Sequence, residues 1–171
     1  MFTAKDANGN PVTGQKQKVT FRVLDSGTLP VSSPAVTVDA VTEESPGIYT
    51  AQLHGSKAGS YTVTPVYDST PLESFSPGFM LTAGDVDGTH SAFNTTGTST
   101  APADGQSAVT LQFTARDVNN NLVSGQVAKV TFRVLDGDNH PVSGPAVTVD
   151  AAVEGAPGIY TAQLHGTKAG S

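Results

Sequence analysis

Carboxylates, side-chain amides and imidazoles are the groups in this sequence that could hold a ligand, and their spacing decides what each can do. In Asp6-Ala-Asn-Gly-Asn10 the oxygen-bearing side chains alternate, as they do in a calcium loop. An EF-hand loop needs glycine at its sixth position and glutamate at its twelfth, and neither is here, so the run is expected to be a turn between strands. Asp85, Asp87 and Asp104 are the candidates for a shared cation at a junction, although beside Gly88 and Gly105 they read more simply as solvated turn carboxylates. The histidines are His54, His90, His140 and His165, of which His140 stands in a loop where the first copy has Leu29. Each is read as an exposed polar residue. There is no Gly-x-Ser-x-Gly elbow, His-Glu-x-x-His helix or phosphate-cradling glycine loop, and no cysteine to act as nucleophile or thiolate ligand. The sequence therefore points away from an enzyme, and no cofactor is expected.

The elements that position these groups follow from composition and pattern. Fifteen acidic and nine basic side chains leave a net charge of -6, with no Lys/Arg cluster, so a phosphate backbone would be repelled and nucleic acid is excluded as a partner. Hydrophobic residues make up 37% of the 171 residues without a long apolar run, which excludes direct membrane insertion by a helix. The 18 glycines and 11 prolines punctuate stretches rich in Val, Thr, Phe and Tyr, the pattern of short strands joined by turns. Met1 runs straight into what reads as mid-strand, and the expectation is that residues precede it.

A repeat organises the chain. Residues 2–60 align without a gap on 113–171, an offset of 111, with about 42 of 59 positions identical. The runs Lys18 to Asp25 and Lys129 to Asp136 are the same eight residues, and so are Gly47 to Gly55 and Gly158 to Gly166. His54 and His165 are thus repeat equivalents and cannot meet in one site. Differences concentrate in loops: Ser26-Gly-Thr-Leu29 becomes Gly137-Asp-Asn-His140, which makes Ser26, Thr28, Leu29, Asp138, Asn139 and His140 the candidate contacts for a partner. Asn8-Gly-Asn10 becomes Asn119-Asn-Asn121, which predicts one turn geometry written two ways, since Gly and Asn best tolerate positive φ. Two modules are expected, 1–84 lacking its first strands and 85–171 lacking its last, both truncated relative to a full repeat.

Period-two alternation sets the strands. Val109, Leu111, Phe113 and Ala115 share one face; Val19, Phe21 and Val23 share another, repeated as Val130, Phe132 and Val134; Tyr49, Ala51 and Leu53 are repeated as Tyr160, Ala162 and Leu164. Further strands are predicted near residues 35–39, 61–67, 79–83 and 90–96. Half-buried strands at such spacing argue for an all-β fold of tandem immunoglobulin-like antiparallel β-sandwiches with Greek-key links. Tyr61, after Ala58-Gly-Ser60, is placed as a tyrosine corner, its hydroxyl returning to backbone.

The run Ala103-Asp-Gly-Gln-Ser-Ala-Val-Thr-Leu-Gln-Phe-Thr-Ala-Arg-Asp117, then an Asn-rich turn, Val123-Ser-Gly125 and a Val-Thr-Phe strand, resembles the group 1 bacterial immunoglobulin-like domains of the intimin and invasin family. Phe2 to Gly14 carries the same pattern in the first copy, and Lys57-Ala-Gly-Ser-Tyr-Thr-Val63 is similar to the family's closing strand. That resemblance implies a tandem stalk on a Gram-negative surface, anchored through an outer-membrane β-barrel and ending in a receptor-binding tip, neither of which this segment contains. The expected role is a structural spacer in an adhesin, with neighbouring modules stacked into a rod. The alternative is an adhesive module that binds a host protein or glycan through its variable loops. A third expectation follows from uncovered sheet edges: self-association by strand exchange.

Overall fold

The structure, a computed structural model, describes residues 1–142 and 144–169. It divides into two compact units, Met1–Thr82 and Ala83–Ser171. In the first, ten strands follow one another: β1 (Phe2–Thr3), β2 (Val19–Asp25), β3 (Pro30–Val31), β4 (Val36–Val38), β5 (Thr42–Ser45), β6 (Ile48–Thr50), β7 (Leu53–Gly55), β8 (Gly59–Tyr67), β9 (Thr70–Pro71) and β10 (Gly78–Leu81). Its main sheet runs β10-β8-β2-β3, with β9 also on β8; β1-β6-β5 and β4-β7 form the facing layer in two pieces. All pairings are antiparallel.

Alternation decides which side chains are buried. Along β2, Val19 and Val23 turn inward and are nearly inaccessible while Thr20 stays exposed. Val23, Val36 and Tyr61 form one core cluster, with Val31, Val38, Leu53, Val63, Phe79 and Leu81 packed on it; Ala4, Val19 and Tyr49 form another. The hydroxyl of Tyr61 donates to the carbonyl of Lys57 at 2.9 Å, and its ring stacks on Phe79 at 5.5 Å. This is the tyrosine corner placed there from the sequence.

The second unit contains β11 (Ala92–Thr96), β12 (Ala108–Thr114), β13 (Val134–Leu135), β14 (Pro141–Val142), β15 (Val147–Val149), β16 (Val153–Ala156) and β17 (Ile159–Gly166). One sheet runs β11-β12-β17-β15 with β16 on β17, and β13-β14 is a separate hairpin. Its core is Ala115, Val123 and Tyr160, with Ala83, Phe113 and Val130 against it.

Identical sequences fold to different extents in the two units. Lys18 to Asp25 yields a seven-residue strand whose whole length pairs with β8, from Val19 opposite Tyr67 to Asp25 opposite Tyr61. The same octapeptide from Lys129 to Asp136 yields only Val134–Leu135. This corrects the strand expected over Val130, Phe132 and Val134. No strand among the described residues of the second unit stands where β8 and β10 stand in the first, so the ladder that would extend this segment has no partner. The converse holds for Gly47 to Gly55: it breaks into β6 and β7 in the first unit, but its copy is the continuous eight-residue β17, paired along its length with β12.

Candidate functional site

Among the described residues one turn recurs four times, and it carries all six candidate partner contacts. At Asp6 the carboxylate accepts from the N–H of Asn8 at 2.9 Å and of Asn10 at 2.8 Å, and Gly9 has φ +83°. At Asp117 it accepts from the N–H of Asn119 and of Asn121, both at 2.9 Å, and Asn120 has φ +65°. The two spellings do make one turn. Asp25 and Asp136 head the same device, accepting from Gly27 and Leu29 and from Asp138 and His140, each at 2.9 Å, with Thr28 at φ +64° and Asn139 at φ +63°. A short aspartate side chain closing on amides two and four residues ahead is an Asx-type arrangement, and it frees the intervening side chains to face solvent. Ser26, Thr28, Leu29, Asp138, Asn139 and His140 are all exposed there, Leu29 by 65%. The two loops thus present different side chains on one backbone.

Among the described residues, the one group of possible metal ligands is Asp136, Asp138 and His140, whose ligand atoms lie within 4.8 Å of one another. All three are exposed, and Asp136 Oδ1 is already engaged by two turn amides. The convergence is a by-product of turn closure. Its signal in sequence was the alternate spacing Asp-x-Asp-x-His. The three aspartates proposed for a cation do not form such a group. Asp87 takes the N–H of Thr89 at 2.8 Å and of His90 at 3.1 Å, the Thr89 hydroxyl, and His90 Nδ1 at 3.0 Å; these hydrogen bonds, led by that of Thr89, hold its carboxyl far below the usual range. Asp104 takes the N–H of Gln106 and Ser107 and the Ser107 hydroxyl. Asp85 lies on the wall of the groove described below.

Each histidine sits beside an aspartate: His54 Nε2 is 2.7 Å from Asp39, His90 Nδ1 3.0 Å from Asp87, His140 Nδ1 3.7 Å from Asp136 and His165 Nε2 3.5 Å from Asp150. His90 and His165 are half-buried rather than exposed.

Two anchors escaped the sequence reading. The buried Tyr49 donates its hydroxyl to the Val12 carbonyl at 2.8 Å and accepts from the Gln15 N–H at 3.0 Å; Tyr160 does the same with Val123 and Gln126. Glu43 takes the N–H of Gly14 and of Gly47, and Glu154 those of Gly125 and Gly158. Gly47, at φ +72°, would place a Cβ 2.8 Å from the Ala4 carbonyl, so no larger residue fits. Retention of Glu43 as Glu154 while Thr42, Glu44 and Ser45 change to Val153, Gly155 and Ala156 was the available signal.

The second unit also has an open apolar groove of about 770 Å³, lined by Phe93, Leu111, Phe113, Val130, Phe132 and Leu164 among others. Phe93 and Phe132 face each other across 5.7 Å, with Phe93 59% exposed. No helix of the described residues is long and apolar enough to cross a membrane.

Against this geometry, residues 1–75 match the family model for invasin, domain 3. No curated protein matches the sequence. Among solved structures, FdeC, a broadly conserved Escherichia coli adhesin, is 25% identical with a TM-score of 0.55 over 95% of this chain and 48% of that one. InvD of Yersinia pseudotuberculosis is 26% identical with a TM-score of 0.58, over 96% and 42%. Invasin, a bacterial integrin-binding protein, is similar in fold at 24% identity and a TM-score of 0.60, over 96% and 29%. The chain spans about half the length of the FdeC chain and less of the other two. With the family match lying on the first unit, residues 113–171 repeating residues 2–60, and the FdeC adhesin and InvD sharing the fold, the chain is a pair of immunoglobulin-like β-sandwich modules similar to those of the intimin and invasin family.

Proposed function

We propose that the two modules are a stalk segment of a bacterial surface adhesin, a non-enzymatic spacer holding a receptor-binding tip away from the outer membrane. The observation that carries this reading is what the repeat keeps and what it changes. The Tyr49 and Tyr160 anchors, the Glu43 and Glu154 clamps and the apolar rows recur, while the Ser26 to Leu29 replacements lie on exposed turn positions. A spacer needs modules that resist extension through buried faces and backbone ladders, and it is indifferent to surface identity. The net charge of -6 adds repulsion between neighbouring shafts. Small-angle scattering on arrays of increasing module number tests this: the maximum dimension is expected to rise linearly with module count, and a compact or freely jointed profile would refute it.

A second reading is favoured by the paired turns, which present Ser26, Thr28 and Leu29 in one module and Asp138, Asn139 and His140 in the other on the same aspartate-closed backbone. In this reading the turns touch a host protein or glycan, as invasin is described as binding integrin. Exchanging the two four-residue turns separates the readings, because a spacer loses no host-cell binding and an adhesive module does.

A further inference from the structure

We infer that Asp117 is the positioning residue of the joint between modules: its buried carboxylate clamps the segment leading into the second unit, so that the joint is confined to Thr82. The inference rests on the spacer role proposed for the modules and names the side chain that would keep the spacer stiff.

The link itself is short. Leu81 ends β10 and packs on the Val23, Val36 and Tyr61 core of the first unit, while Ala83 already packs on the Ala115, Val123 and Tyr160 core of the second. Exposed Thr82 is what lies between. From Ala83 to Ser91 the chain forms no strand, yet it is tied at intervals to the residues that follow β12 in the same unit. The Gly84 N–H donates to Asp117 Oδ2 at 2.9 Å, the Asp87 N–H to the Arg116 carbonyl at 2.7 Å, and the Arg116 N–H to Ser91 Oγ at 3.0 Å.

Of these ties the one at Gly84 stands nearest Thr82, and its acceptor is a carboxylate only 2% exposed. A charged acceptor held away from water makes a stronger hydrogen bond than a neutral carbonyl does, so this tie is the one that fixes where the second module begins. The two oxygens of Asp117 divide the task. Oδ1 accepts the N–H of Asn119 and of Asn121 and closes the turn, whereas Oδ2 accepts the Gly84 N–H and the Asn121 side-chain amide. In the exposed repeat equivalent Asp6, Oδ1 closes the same turn and Oδ2 receives the Asn10 side chain.

Pulsed dipolar spectroscopy on the full chain tests this. The chain has no cysteine, so Thr20→Cys on β2 and Thr148→Cys on β15, both exposed strand positions, carry one spin label each. A narrow distance distribution is expected, and Asp117→Asn should widen it about twofold. The free run would then reach from Thr82 to Val86, short of the tie at Asp87, and its spread grows as the square root of residue number. Asparagine keeps an oxygen for the Asn119 and Asn121 amides but turns an NH2 toward the Gly84 N–H, so the turn stays closed while the clamp opens. A label pair inside the second unit, Thr96→Cys with Thr148→Cys, should keep its width in the same variant, and Asp6→Asn should leave the first pair unchanged. A narrow distribution that Asp117→Asn does not widen overturns the inference and leaves the spacer role standing. One already broad in the unsubstituted chain overturns both. Equal widening by Asp6→Asn, or of the pair inside the second unit, also overturns the inference, because loss of a turn or of the fold, rather than of the clamp, would then loosen the joint.

Discussion

The aspartate turns differ in strain, and their residues predict by how much. Three have Gly or Asn at the positive-φ position, but the fourth places β-branched Thr28 there at φ +64°. Thr28→Asn should stabilise the first unit by about 0.5–1 kcal/mol, read as a shift in its urea midpoint. Asp117 differs from its repeat equivalent Asp6 in burial and reach: it is 2% exposed and also receives the Gly84 N–H at 2.9 Å. Burial alone pushes its carboxyl up, yet the donors Asn121, Gly84 and Asn119 outweigh this and hold it at about 2, below its ordinary 3.8. Because the folded value lies below the unfolded one, this stabilisation is complete above about pH 4 and is lost as pH falls through 2. Asp117→Ala should cost about 2–3 kcal/mol at neutral pH, by leaving three backbone donors without their acceptor, and should flatten the acid limb of the second unit's stability curve. An unchanged acid limb in that variant would contradict the assignment.

At the scale of elements, strand length follows available partners rather than local propensity. Two identical octapeptides and two identical nonapeptides take different extents in the two units, in opposite senses, because β8 is present in one and β12 in the other. Hydrogen exchange measured at low micromolar concentration should therefore find the amides of Val19 to Val23 strongly protected and those of Val130 to Arg133 fast, despite one sequence. Gln163 of β17 should likewise exchange more slowly than Gln52, which lies between β6 and β7. Equal protection in the two copies at that concentration would mean that an intrinsic preference, not pairing, sets these strands.

For the whole molecule, the two units have separate buried clusters, and the tyrosine anchor of each lies inside its own unit. Calorimetry should resolve two transitions. Tyr49→Phe and Tyr160→Phe each remove one hydroxyl that both donates and accepts, so each should cost about 1–2 kcal/mol in its own transition only. A single transition moved by both variants would show the units unfolding as one.

Much of this protein is readable from its amino acids alone, because the readable features are local or repeated. Alternation at Val19, Phe21 and Val23 marks a strand and its inward face, the Asn8 to Asn10 and Asn119 to Asn121 swap marks a turn, and Tyr61 after Gly59-Ser60 marks a corner, each within a few residues. The repeat adds the module count, since self-similarity needs no knowledge of contacts. Pairing across distance was not readable. Whether Val130 to Arg133 is strand depends on a partner strand that no local pattern mentions, and Glu43 meets Gly14 across 29 residues. The convergence of Asp136, Asp138 and His140 likewise comes from a turn closing on itself. Backbone hydrogen bonds between strands are made by groups that every residue carries, so side-chain identity records which face is buried, and only the folded chain decides which edge is filled.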